Sequence, residues 1–395
     1  MKKRKIRFCA ILLTFVMLFT LVGCGGDSAP AESNAAESYT FDELMDMSWS
    51  EIEEAAKAEG EVTLSTWYNE TGFTELLKKF EETYGIKANL VVSDQNAFVQ
   101  KALAEKDGEV GTIDVTIAGG EMVKTILDAN LMAGPLLDKM EHKDSLDPGL
   151  SEYVEGMATN GYLVPLYLNQ TGFLYNSDKL SEEDLPQTWE ELEQYIQENP
   201  KKFGVCPPDK GGSGQAFTML AMQELLGGLD DYFGDTDVVE SKIENWDTVW
   251  EWFRQNADNI TYTTSNNDSI SRLNQGEFDL TVAWNDDTSV ARNAGELGDN
   301  AKLYVPEMGL PGGGDCVGIM ANAEHKAASL LLVNWLTSEE AQTTISELMN
   351  AIPARVDIQA SNAELTEEDM QYRTSWIPVA YKIRFTQDFT PNVLN

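Results

Sequence analysis

Basic residues are scarce: 28 Lys and Arg stand against 66 Asp and Glu in 395 residues, a formal charge of −38. Such a surface repels a polyanion and has no basic stripe to neutralise phosphates, so nucleic acid is not an expected partner. Histidine is scarcer still. His142 and His325 are the only two, and with Cys at positions 9, 24, 206 and 316 alone no metal cluster of the usual His or Cys type can form. Four cysteines also make no disulfide framework. Cys206 and Cys316 are expected as buried free thiols, with a pairing between them left open. No G-x-x-x-x-G-K-[ST] phosphate loop occurs, so ATP hydrolysis would belong to a separate subunit. Gly211-Gly212-Ser213-Gly214-Gln215 misses the G-x-S-x-G elbow at its fifth place, and neither His has triad neighbours. No apolar run reaches the roughly 18 residues of an ordinary transmembrane helix. Apolar content is nevertheless ample: 42% hydrophobic, with 9 Trp, 13 Tyr and 15 Phe, which supports real cores and excludes wholesale disorder.

The N-terminus is basic at Lys2, Lys3, Arg4, Lys5 and Arg7, and a run of 15 mostly apolar residues follows from Phe8 to Val22. That is the build of a secretion signal. Leu21-Val22-Gly23-Cys24-Gly25-Gly26 then resembles the bacterial lipoprotein signal, which implies that residues 1–23 are removed. Cys24 would become a lipidated N-terminus in the cell membrane, facing the extracellular side. A conventional cleaved signal with an incidental Cys is the alternative. Cleavage before Cys24 leaves 23 basic against 66 acidic residues, a net −43. Such a chain is expected to stay monomeric near an anionic membrane. Residues 24–38 are mainly small and polar and form a flexible tether.

Beyond a helical segment at 39–59, helix and strand periodicities alternate. Trp49 to Ala58 has helical spacing, with Ser48 or Ser50 as a possible N-cap and Gly60 as a stop. Glu61 to Trp67 reads as a strand. Phe73, Leu76, Leu77, Phe80 and Tyr84 give one helical face ended by Gly85. Strands at Ile86 to Val92 and Ile113 to Ala118, with helices at Ala97 to Lys106 and Glu121 to Leu131, complete a pattern that predicts a parallel α/β sheet. Two extended segments, Tyr162 to Asn169 and Gln170 to Asn176, then lie end to end, which predicts a passage from one sheet to another. A second α/β region runs from Trp189 to Trp284. The glycine run Pro311 to Asp315 precedes a strand at Val317 to Ala321, and Thr337 with Glu340 has capping-box spacing.

GEVTLSTWYN (60–69), IDVTIAGG (113–120), VPLYLNQTGFLYNSDKL (164–180), LPQTWEEL (185–192) and VNWLTSEEAQ (333–342) follow one another in an order that resembles the extracellular solute-binding proteins of bacterial ABC importers. The resemblance is to the two-lobed type II superfamily and covers most of Gly60 to Met349. GSGQAF (212–217) and LNQGEFDLTVAWNDD (273–287) are similar to its polyamine, thiamine and iron binders. It implies two α/β lobes joined by a hinge with multiple chain crossings: residues 60–166 with 306–345, and 167–305 with 346–395. It also implies no enzymatic activity, no cofactor, ABC permease subunits as partners, and lobe closure over a small organic solute.

Such folds take ligands beyond the carboxyl ends of their strands. Trp67, Tyr68 and Asn69 end the first strand there, where the aromatic faces could stack on a sugar or hold a polyamine-like cation, or belong to the core. Gly119, Gly120 and Glu121 open a helix N-terminus suited to an anionic or hydroxyl group, or make a plain turn. Tyr167, Asn169 and Gln170 carry polar tips near the hinge. Ser213 precedes an apolar helix, in a cleft or on a surface loop. Trp284, Asn285 and Asp286 end a strand as a Trp-plus-carboxylate set, or as a core Trp before a solvated turn. With 66 acidic residues a glycosidase pair stays open, as does a sensor signalling to a membrane receptor.

Overall fold

A computed structural model describes residues 39–108, 110–360 and 364–394. The expected signal segment and the whole of the expected tether, Cys24 included, lie outside the described residues.

The first lobe follows the periodicities. Ser48 caps α1 (Trp49–Glu59): its Oγ accepts the Glu51 N–H, the Glu51 carboxylate accepts the Ser48 N–H, and Gly60 at φ 81 closes the far end. β1 (Glu61–Thr66) leads into α2 (Glu70–Tyr84), which buries Phe73, Leu76, Leu77 and Phe80 on one face. Each of these side chains contributes roughly 1.5–3 kcal/mol by leaving water. β2 (Lys87–Val92), α3 (Gln95–Glu105), β3 (Val115–Ala118) and α4 (Met122–Asp128) complete the unit, with β1 parallel to both β2 and β3.

Two long strands correct the expectation of a purely parallel sheet. β4 (Val164–Asn176) runs unbroken for 13 residues where two segments were predicted. The second lobe then forms from α5 (Trp189–Glu198), β5 (Phe203–Val205), α6 (Gly212–Leu226), α7 (Asp247–Gln255), β6 (Ile260–Tyr262), α8 (Asn266–Asn274), β7 (Leu280–Trp284), α9 (Asn285–Asn293) and β8 (Ala301–Tyr304). β9 (Leu310–Ile319) returns to the first lobe, where α10 (Lys326–Leu336) and α11 (Glu339–Met349) pack, and α12 (Val379–Phe389) lies near the C-terminus. In sheet order the strands run β2-β1-β3-β9-β4-β7-β5-β6.

β4 is the seam. It pairs antiparallel with β9 from Val164↔Val317 to Gln170↔Gly312, and from the next residue with β7, Thr171↔Trp284 to Tyr175↔Leu280. Leu166 to Leu168 accordingly lie in the first hydrophobic core, and Phe173 to Tyr175 in the second. β9 crosses in the opposite sense, with Leu310 in the second core and Cys316 in the first. One strand leaves the first lobe and the other comes back, so they must be antiparallel. A later crossing separates Ala354, in the first core, from Leu365, in the second. The molecule is therefore two α/β lobes joined by a hinge with several chain crossings.

Two local expectations change. The glycines at 312–314 belong inside β9 and do not precede it, because neighbours occupy the space where side chains would stand. A Cβ on Gly314 would lie 2.6 Å from Tyr167 O. The capping box expected at Thr337 is also displaced. Ser338, extended at φ −71 and ψ 160, caps α11 by accepting the Ala341 N–H, whereas Thr337 is helical, ends α10 and donates its hydroxyl to Asn334 O at 2.7 Å.

Candidate functional site

The C-terminal ends of β1, β3 and β7 converge on the hinge, and the sequence at each end determines what faces the gap. Trp67 follows β1, Gly119 and Gly120 follow β3, and Trp284 ends β7 at the N-terminus of α9. Between them lies a cleft of about 210 Å³ whose lining includes Trp67, Asn169, Trp284, Asp315 and Trp376. Trp284 and Trp376 stack at 6.0 Å between ring centroids, inclined by 28°.

Acidic groups gather around these aromatic walls. Asp315 comes from the glycine-rich stretch of β9 and accepts a hydrogen bond from the buried Tyr167 hydroxyl. Burial raises its pKa to about 7, with the charges of Glu155 and Asp286 adding to the effect. Asp286 and Asp287 occupy the first turn of α9. Burial raises both, and Asp287, next to the Asp286 charge, reaches about 7. The Tyr68 hydroxyl is pushed up first by burial and then by Asp315, Asp286 and Asp287, so these carboxylates from both lobes act on one place. Gly119 is part of the design, since a Cβ there would collide with the Asp315 carboxylate.

One cation already shows how this environment treats positive charge. Lys382 of α12 forms an ion pair with Glu155, and its Nζ stands 4.6 Å from the centroid of the Trp376 ring. Both side chains of the pair are largely buried. A carboxylate and an aromatic face together hold an ammonium group here.

The structure distributes the residues singled out from the sequence among different roles. Trp67, Gly120, Asn169 and Trp284 line the cleft, and Tyr68, Tyr167 and Asp286 act on its electrostatics. Asn69 instead caps α2, its side chain accepting the Gly72 N–H at 3.1 Å from a left-handed backbone. Glu121 is exposed at the start of α4, and the Gly120 N–H is taken by Glu155 Oε1 at 3.3 Å, so that helix end is occupied by the protein itself. Gln170 and Asn285 are buried in the hinge: the Gln170 N–H donates to Asn285 Oδ1 at 2.8 Å, and Gln170 Nε2 donates to Leu310 O at 2.9 Å. Ser213 is buried too, its hydroxyl donating to Asn266 Oδ1 at 2.8 Å. Sequence reasoning missed Gln95, Glu155, Trp376 and Lys382, which come from segments without a motif, and Gln215, which lies inside GSGQAF two residues after Ser213. The Trp-Asn-Asp-Asp run did point to Asp287, and the three glycines before Asp315 were the signal for that residue. Cys206 and Cys316 are both free and buried. Among the described residues no group of three or more His, Cys, Asp or Glu is disposed to hold a metal ion.

Two hinged α/β lobes with an aromatic and acidic cleft at the seam have the architecture of a protein that closes over a small solute. The chain belongs to the bacterial extracellular solute-binding protein family, whose sequence profile matches residues 75–373. It is similar to a candidate 2-aminoethylphosphonate-binding periplasmic protein of Salmonella typhi, 24% identical over 213 residues, 51% of this chain. That match spans about half, 55%, of the relative's length. It is also 24% identical over 287 residues to a putrescine-binding periplasmic protein of Pseudomonas aeruginosa, covering 70% of this chain and 73% of that one. Among solved structures, a candidate extracellular solute-binding protein from Bordetella parapertussis superposes with a TM-score of 0.65 at 17% identity, over 85% of this chain and 98% of the other. This likeness establishes the fold.

Proposed function

We propose that the chain is the solute-binding component of an ABC import system, which captures a small organic ammonium compound between its lobes and delivers it to a membrane permease. The observation that carries this reading is a set of half-buried carboxylates: Asp315 lines the cleft with its tryptophans, and Asp286 and Asp287 follow Trp284 in the first turn of α9. Buried carboxylates are costly unless a cation or hydrogen bonds compensate them, and tryptophan faces attract cations. A neutral sugar would stack on the rings and donate hydroxyls to the carboxylates but would bring no charge to offset theirs. The two relatives' names support the same reading, since putrescine and 2-aminoethylphosphonate both carry a primary amine. The cleft, at about 210 Å³, lies below the roughly 300–1,000 Å³ typical of drug-sized sites, which favours a small solute.

We place the lobes near the division read from the sequence, 60–166 with 306–345 against 167–305 with the tail, and Leu168 in the first core and Leu310 in the second support moving the first two crossings a few residues onward. The places of Met349, Ala351 and Ala354 in the first core support moving the last crossing to after Ala354. Cys24 carries the lipid, and the body faces outward from the membrane. Contacts of the solute with both lobes favour the closed arrangement.

The test is thermal unfolding of the full-length protein, stripped of carried-over solute by unfolding and refolding, against amines, sugars, thiamine and ferric citrate. At 100 times its dissociation constant a ligand of the native state adds about 2.7 kcal/mol. Amines are expected to raise the midpoint. A shift with sugars alone removes the ammonium reading, and turnover of a glycoside removes the carrier reading.

A further inference from the structure

We propose that the cavity beside the cleft is an oxyanion subsite built on Arg373, Thr374 and Ser375, so that the cargo carries a phosphonate or carboxylate group besides its ammonium. The proposal rests on the ammonium reading and deepens it. This cavity has a volume of about 680 Å³ and shares Glu155, Gly313, Gly314 and Trp376 with the smaller cleft, so the two compartments meet at the Trp376 wall.

Arg373 is the one base among the described residues that line the cavity. A two-residue strand, Arg373–Thr374, runs parallel to the start of β9 and sets it beside the hinge. Its Nη2 donates to Gly313 O at 2.9 Å. A guanidinium has five N–H donors, so most of its capacity is unspent. Two acids, Asp147 and Glu155, line the cavity too, and each has a partner other than the guanidinium. Asp147 acts on Arg373 through space without pairing with it, and its Oδ1 accepts the Leu150 N–H at 2.7 Å. Glu155 is held by Lys382 and by the Gly120 N–H. Thr374 and Ser375 add two hydroxyls that line the cavity, and no residue among those described takes either as a hydrogen-bond partner. A fixed guanidinium fork with free N–H groups and adjacent hydroxyls matches the oxygens of a carboxylate or phosphonate. A second ammonium group would be repelled there, so the site separates an amino-oxyanion from a diamine.

Isothermal titration of the full-length, stripped protein with 2-aminoethylphosphonate, propylamine and putrescine tests this. The wild type is expected to bind the zwitterion at least about tenfold more tightly than either amine, the scale of one good charge-assisted contact. Arg373→Gln should bring the zwitterion down to the affinity of propylamine, and Ser375→Ala, at an exposed position, should remove part of the advantage. Equal affinities in the wild type, a preference for putrescine, or an Arg373→Gln variant that weakens propylamine as much as the zwitterion overturns the subsite and leaves the ammonium reading standing. Binding of none of the three overturns the ammonium reading and the subsite with it.

Discussion

Asp287 and Asp315 each keep a proton up to about pH 7 in the folded chain, whereas an exposed Asp loses it near pH 4. Between those values the native state holds protons that the unfolded chain has released. Without ligand the contribution of these groups is therefore fully present below about pH 4 and is lost as pH rises through about 7. The unfolding midpoint of the stripped protein should fall from about pH 5 to about pH 8, and Asp287→Asn with Asp315→Asn should flatten that slope. Amine affinity should run the other way. A cation needs the ionised carboxylates, so the dissociation constant should decrease over the same interval, with protons released on binding. Calorimetry in buffers of different ionisation enthalpy measures that release. Gly119→Ala should weaken binding through displacement of the Asp315 carboxylate, and a crystal structure of the variant would show the shift.

Secondary elements were the most legible level, for reasons found at their ends. Ser48 and Gly60 bracket α1 and Gly85 stops α2, because orphan N–H and C=O groups need local partners and local sequence supplies them. Where two caps compete the sequence is ambiguous: Thr337 and Ser338 are both good cap residues, and the backbone turn after α10 decides for Ser338. Ser338→Ala should cost about 1 kcal/mol of stability, whereas loss of the Thr337 hydroxyl should leave α11 capped. A larger effect is expected one strand away. Asp114, in the IDVTIAGG segment, accepts the N–H groups of Thr63, Glu324 and His325 at 2.8, 2.9 and 3.0 Å. Asp114→Ala removes three part-buried hydrogen bonds to a charged acceptor, about 1 kcal/mol or more each, and urea unfolding should show the loss.

At the scale of the molecule, binding should draw the lobes together about β4 and β9, and a decrease in radius of gyration on adding the bound amine, measured by small-angle X-ray scattering, checks it. Trp284 and Trp376 flank the same gap, so intrinsic fluorescence should change with it. Replacing Cys24 by Ser should release the protein from the membrane fraction. From sequence alone came the alternation of helix and strand, the family, and the places where strands end near a cleft, since each depends on neighbours in the chain or on a period of a few residues. Tertiary structure alone decided which of those strand ends face the cleft. Asn69, Gln170, Asn285 and Ser213 have the same polar tips as Asn169 or Asp286, yet they serve caps, hinge and core, because the burial and partners of a side chain depend on segments far away in sequence. Glu155, Asp315, Trp376 and Lys382 meet only after the chain has crossed the hinge several times, and no local pattern records that meeting.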